Sequence, residues 1–126
     1  MYTNKFKDGK ILINGQTIEI EKLEWNEHPT FKGVSLKHLI KGESTNNQLS
    51  CHLVKVEPGC EIGLHNHVGK TELHEVLNGS GVCTVENTDL NYEEGIIGFI
   101  PADKNHLVKA GKDGLFLMAK FFPSLL

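Results

Sequence analysis

The chain has 126 residues, 39% of them hydrophobic and 23% charged, the size and make-up of one globular domain and too short for two. No apolar run approaches the roughly 18 residues that a membrane span requires. Sixteen acidic against thirteen basic residues give a net charge of -3, and the basic residues are scattered, so no basic stripe is offered to a nucleic-acid backbone. The sequence therefore predicts neither nucleic acid nor membrane as a partner.

All thirteen basic residues are lysine, so the planar fork that clamps carboxylates and phosphates in a bidentate manner is missing. The three cysteines, Cys51, Cys60 and Cys83, have no C-x-x-C spacing and read as free thiols rather than as a disulfide framework or a zinc ribbon. The stretch from Met1 to Gly9 is polar and lacks the apolar centre of a signal peptide, which predicts a cytoplasmic location.

In chain order, Lys10 to Ile13 and Gln16 to Ile20 flank Asn14-Gly15, a pair suited to the positive φ angles of a type I′ hairpin turn. Glu21 to Gly33 follows neither a helical nor a strand period. With Trp25, His28, Pro29 and Phe31 it either covers a barrel mouth, forms a subunit interface or packs as a long loop. Val34 to Ile40 alternates apolar and polar residues as a half-buried strand does, and a polar loop from Gly42 to Gln48 leads into Leu49 to Val56. Further strand-like runs are Thr71 to Leu77, Val82 to Glu86, Ile96 to Ile100, His106 to Ala110 and Leu115 to Phe122. Asn78-Gly79-Ser80-Gly81 is read as a turn reversing the strand before it. Evenly spaced short strands without a repeat or a linker predict one all-β sandwich or barrel.

Three of the seven histidines share a frame with a glutamate. Gly59 is followed after five residues by His65-Asn66-His67, after four more by Glu72 and after six more by Gly79. A second block has Gly95, then Pro101 after five residues and His106 four residues beyond that. On a strand, residues two apart point to one face with Cα atoms about 6.6 Å apart, so His65 and His67 can reach one ion, Glu72 can return from the next strand, and His106 can close the set.

Read this way, the chain resembles the cupin superfamily, with the motifs G(x)5HxH(x)3-4E(x)6G and G(x)5PxG(x)2H(x)3N. The first motif matches throughout. The second matches at Gly95, Pro101 and His106, whereas Asp103 stands where the family has glycine and Ala110 where it has asparagine. The fifteen residues from Ser80 to Glu94 between the motifs resemble the spacing of small single-domain bacterial cupins. The resemblance implies an all-β, single-domain jelly roll over 1–126, with N-terminal strands and loops in 1–48 and the conserved barrel in 49–126. It also implies one divalent transition metal ion, iron, manganese, nickel, copper or zinc, held by His65, His67, Glu72 and His106 with a coordination position left open.

His74, two residues after Glu72, shares its face and is the candidate catalytic residue, acting as a base or as an orienter of the ligand, with packing in the lumen as the alternative. His28, His38 and His52 match no motif position and are read as surface or core residues. Outward Leu73 and Leu77 and the apolar last strand predict a symmetric homodimer. Cupins include oxygenases, isomerases, lyases and proteins that only bind, so two functions are carried forward. One is a metal-dependent enzyme on a small organic substrate. The other is a non-catalytic module that binds or senses a small ligand or a metal. The absence of arginine favours an apolar, phenolic or enolic substrate over a small dicarboxylate.

Overall fold

In a computed structural model, residues 5–126 are described, and the first four residues of the polar N-terminal stretch lie outside them. The chain folds as a β-barrel of the jelly-roll type. Its strands are β1 (Lys10–Ile13), β2 (Gln16–Glu19), β3 (Asn26–Glu27), β4 (Val34–Ile40), β5 (Ser50–Val56), β6 (Glu61–His65), β7 (Thr71–Val85), β8 (Thr88–Glu93), β9 (Ile97–Ile100) and β10 (His106–Phe122). Short 3₁₀ turns interrupt them at Lys5–Asp8, Ile20–Lys22 and Gly42–Ser44. No helix among the described residues is long and apolar enough to cross a membrane.

The N-terminal hairpin forms as its sequence dictates. Asn14 and Gly15 take φ angles of 50° and 77°, and β1 pairs with β2 in the register Ile11 to Ile18. The remaining strands make one sheet in the order β3-β4-β5-β10-β7-β8, with β6 added on β10 and β9 on β7. The two long strands change partners midway. β7 pairs with β9 over Glu72 to Glu75 and with β8 over Ser80 to Val85, while β10 pairs with β6 near its start and with β5 from Leu115 onward. Each strand therefore belongs to both layers of the barrel.

This corrects the sequence reading at one point. Asn78 to Gly81 is not a reversing turn, because β7 runs through it without a break, and the same holds for the join between His106–Ala110 and Leu115–Phe122 in β10. The register between the two strands shifts between Ala110 and Leu115, and Gly79 lies there with φ of 81°. A Cβ on Gly79 would run into the Gly114 carbonyl. Glycine is needed for the bend and the close approach of two backbones, which a sequence displays in the same letters as a turn. Strand β8 was not read from the sequence, and β6 only through its His65 end, since each has just two apolar residues in alternation, Ile62 and Leu64 in β6 and Leu90 and Tyr92 in β8.

Two apolar clusters follow from the strand alternation. The inner one includes Val54, Val76, Cys83, Tyr92, Ile100, Leu117 and Phe121. The outer one is built by the N-terminal layer, whose Ile11, Ile20 and Trp25 close over Leu39, Leu53, Met118 and Leu77 on the sheet's outer face. Along the start of β7, Glu72, His74 and Val76 are buried while Leu73, Glu75 and Leu77 are only partly so, matching the expected two-residue alternation. Leu77 is thus partly covered by the chain's own N-terminal layer.

Candidate metal centre

Four side chains converge at one end of the inner face: His65, His67, Glu72 and His106. One ligand-type atom from each lies within 4.8 Å of the others. His65 ends β6 and is directly opposite His106, the first residue of β10, which brings their ring centroids to 4.2 Å. Glu72 enters from the start of β7. His67 lies past the end of β6, in the loop before β7, and not on the same strand as His65 as the two-residue spacing suggested. It still converges, with its Nε2 3.6 Å from Glu72 Oε1.

The donor set is prepared for a cation. His65 Nδ1 donates to the Gly63 carbonyl at 2.6 Å and His106 Nδ1 donates to the Lys104 carbonyl at 3.0 Å, each two residues back along the chain. Such bonds fix the proton on Nδ1 and leave Nε2 as a bare acceptor turned to the centre. His106 Nε2 and Glu72 Oε1 are 3.2 Å apart, both buried, and neither has a hydrogen-bond partner. Two buried acceptors facing each other unpaired are costly, and a cation between them removes the cost. Burial keeps His65 and His67 below the ordinary histidine range, His67 at about 4, so neutral imidazoles are available near neutral pH. Burial works to raise the Glu72 pKa, but His74, which donates to the carboxylate, outweighs it and holds the carboxyl well below the usual carboxylate range. The residues present fit a divalent transition metal ion, with Nε2 of His106, an oxygen of Glu72 and the rings of His65 and His67 as its holders.

His74 is fully enclosed and makes two bonds. Its Nε2 donates to Glu72 Oε2 at 2.6 Å, and its Nδ1 is 2.8 Å from the Tyr92 hydroxyl. Burial disfavours a charge on this ring, yet Glu72 beside it, with a contribution from Cys83, raises its pKa. Tyr92 reaches His74 because Gly98, opposite His74 across the β7-β9 pair, carries no side chain. A Cβ there would fall on the Tyr92 hydroxyl. The chain Tyr92–His74–Glu72 thus locks one carboxylate oxygen and leaves the other for the centre.

Three further residues were not found by spacing. Asp103 adopts φ of 69°, which accounts for glycine in the family motif, and its Oδ1 accepts the Gly69 N–H at 2.8 Å, tying the loop after His67 to the loop before His106. Its signal was visible as a departure from the motif. Phe121 stacks edge-on to His67 at 5.0 Å, and Phe31 lies 6.1 Å from His65 with its ring over Gly63. Phe31 settles one alternative for Glu21 to Gly33, since this part of the segment packs beside the centre. His28 accepts the backbone N–H groups of Thr30 and Phe31 through Nδ1 and so shapes that loop. His38 and His52 bond to each other, Nδ1 to Nδ1, at 2.8 Å.

A jelly-roll barrel with three imidazoles and one carboxylate gathered inside it is the architecture of a cupin. The comparisons with known proteins agree. Among solved structures, a predicted oxalate decarboxylase from Thermotoga maritima superimposes with a TM-score of 0.76 at 23% identity, over 83% of this chain and 96% of that one. An RmlC-like cupin from Shewanella frigidimarina gives 0.72 at 20% identity, over 83% and 87%. The chain has the cupin fold. Among curated proteins, an oxalate-binding protein of Thermotoga maritima is 29% identical over 77 residues, 60% of this chain. The dimethylsulfoniopropionate lyase DddW of Ruegeria pomeroyi is 30% identical over 88 residues, 69% of this chain. The matches span 64% and 57% of those proteins' own lengths. No protein-family model matches the chain.

Proposed function

We propose that the chain is a metal-dependent enzyme acting on a small organic molecule, with its ion held by His65, His67, Glu72 and His106. The observation that carries this reading is the pair of unpartnered buried acceptors, His106 Nε2 and Glu72 Oε1, beside two imidazoles kept neutral by burial. When bound, a divalent transition metal supplies Lewis acidity or an oxygen-activating centre. The protein's own part is to fix the donors and to exclude water. His65 and His67 are the partly exposed members of the set, so a substrate approaches on their side, past the ring of Phe31. His74 is bonded on both ring nitrogens, which supports the role of a positioning residue for Glu72 over that of a base in contact with substrate.

Two considerations bear on the substrate. A curated relative is named for binding oxalate, and another for cleaving dimethylsulfoniopropionate. Against a small dicarboxylate stands the lack of any arginine to grip it, and for a molecule that chelates through phenolic or enolic oxygens stands the partly exposed ring of Phe31 beside His65. The second reading, a module that binds without catalysis, is favoured by the name of the oxalate-binding relative. The free thiols Cys51, Cys60 and Cys83 suit a reducing compartment and support a cytoplasmic location. Exposed Ile97 and Phe99 on the outer side of β9 support the symmetric homodimer in place of Leu77.

The test is elemental analysis after anaerobic reconstitution with iron, manganese, nickel, copper or zinc, followed by a substrate screen with the metal retained. About one equivalent per chain and turnover of an oxygen-chelating substrate supports the enzyme reading. Less than about a tenth of an equivalent with every metal refutes the centre. Metal with ligand binding but no turnover across oxygenase, isomerase and lyase assays moves the assignment to the binding module.

A further inference from the structure

On the opposite side of the sheet from Glu72 and His74, a cleft of about 280 Å³ opens between the N-terminal layer and the outer faces of β4, β5 and β10. Trp25 and Phe116 meet edge to face in its wall with centroids 6.0 Å apart, and Leu53 adds apolar surface. Lys7, Lys37 and Lys55 also line it. The ammonium groups of Lys37 and Lys55 lie 5.1 and 4.6 Å from the centroid of the Trp25 ring. Lys37 is only 5% exposed, unusual for lysine, and its Nζ donates to the Ile20 carbonyl at 3.0 Å. Among the described residues, no carboxylate lies within ion-pair distance of Lys7, Lys37 or Lys55. Glu57 and Asp113 line the cleft too, so three cations share its wall with two acids.

Two ammonium groups lie over one indole, and the buried one, Lys37, has the Ile20 carbonyl as its single hydrogen-bond acceptor. An aliphatic residue in place of Lys37 would cover the same apolar surface without desolvating a charge. Burial, and Lys55 beside it, lower the Lys37 pKa, and Glu21 only partly offsets them. An anion seated between the two ammonium groups would relieve their repulsion and use the donors left on Lys37 Nζ. The walls beyond it, Trp25 and Leu53, ask for a flat apolar body attached to that anion.

We propose that this cleft is a second ligand site, separate from the metal centre, for a small organic carboxylate with a planar apolar body. Lys37 and Lys55 bind the carboxylate and the indole of Trp25 packs against the body.

Trp25 is the only tryptophan in the chain, so its indole N–H gives a single resonance that reports on the cleft. The metal-loaded protein is titrated with benzoate, benzyl alcohol and inorganic phosphate while that resonance is followed, with calorimetry in parallel. Benzoate should shift the resonance saturably, and Lys55→Met should weaken its binding by about tenfold or more. Lys37→Met should do the same, checked against its melting temperature, and His106→Ala should leave benzoate binding unchanged. The proposal is overturned by an absence of saturable binding up to about 10 mM benzoate, a very weak affinity by any standard. It is equally overturned if benzyl alcohol binds as tightly as benzoate, since the lysines are then idle, or if phosphate does, since the apolar walls are then idle. Loss of benzoate binding in His106→Ala with Lys55→Met unaffected would put the carboxylate at the metal centre and refute the second site without touching the first.

Discussion

The barrel holds two groups of histidines on either side of one aromatic ring, and only one of them is built to hold a cation. Phe121 packs edge-on to His67 at 5.0 Å on one side and to His52 at 5.6 Å on the other. Around His67, ring nitrogens are tied to backbone carbonyls at Nδ1 and left bare at Nε2. Around His52 nothing is left bare, because Nδ1 meets His38 at 2.8 Å and Nε2 meets the Ser50 hydroxyl at 2.8 Å. Both groups are histidine-rich and at least partly buried. What separates a ligand set from a packed core is where the spare lone pairs point, and that depends on which partner each Nδ1 finds.

The largest expected effect tests that contrast directly. His106→Ala should reduce metal affinity by about a hundredfold or more, whereas His52→Asn should leave metal content unchanged, with both read by elemental analysis on matched samples. Equal metal loss in the two variants would erase the distinction. His74→Ala and Tyr92→Phe probe the support of Glu72. The first should weaken metal binding by about ten- to a hundredfold and the second by less, with any activity per bound metal preserved. A fall in turnover at full metal occupancy would instead make His74 a catalytic residue.

Gly98→Ala is next in size. The added methyl must displace the Tyr92 hydroxyl, so the variant should lose about 1–3 kcal/mol in denaturant unfolding and weaken metal binding alongside. The smallest effect concerns pH. Burial, with His38 beside it, holds His52 at about 4 against an ordinary 6.5. The unfolded chain then takes up a proton that the folded chain refuses, so the stability owed to neutral His52 is complete above about pH 6.5 and is lost as pH falls towards 4, by at most about 3 kcal/mol. His52→Asn should flatten the stability profile between those limits. An unchanged profile would show that His52 titrates normally and is not sealed in.

The four candidate ligands were legible because they stand at motif positions shared with cupins and three of them lie between His65 and Glu72, although His67 lies past the strand that ends at His65. What could not be read is what the chain assembles from afar. Tyr92 reaches His74 only because β8 and β9 fold back beside β7, and no local pattern announces that contact. The two long strands were divided at their glycines because a bend within a strand and a turn between strands use the same residues. Trp25 was noted as unreadable, and its place beside Lys37 and Lys55 depends on β4 and β5 pairing His38 with His52, which also aligns Lys37 with Leu53. Asp103 shows the converse. A residue that departs from the motif keeps the backbone conformation that glycine serves elsewhere, and adds a bond to Gly69 that glycine could not make.

The placement of the ligands along β6, β7 and β10 sets an order of assembly during synthesis. His65, His67 and Glu72 leave the ribosome close together, whereas His106 follows only after β8 and β9 have been made. Strand β6 pairs with β10 alone, so the four donors come together only when β10 lays its first residue against His65. Completion of the donor set would then coincide with closure of the barrel rather than precede it.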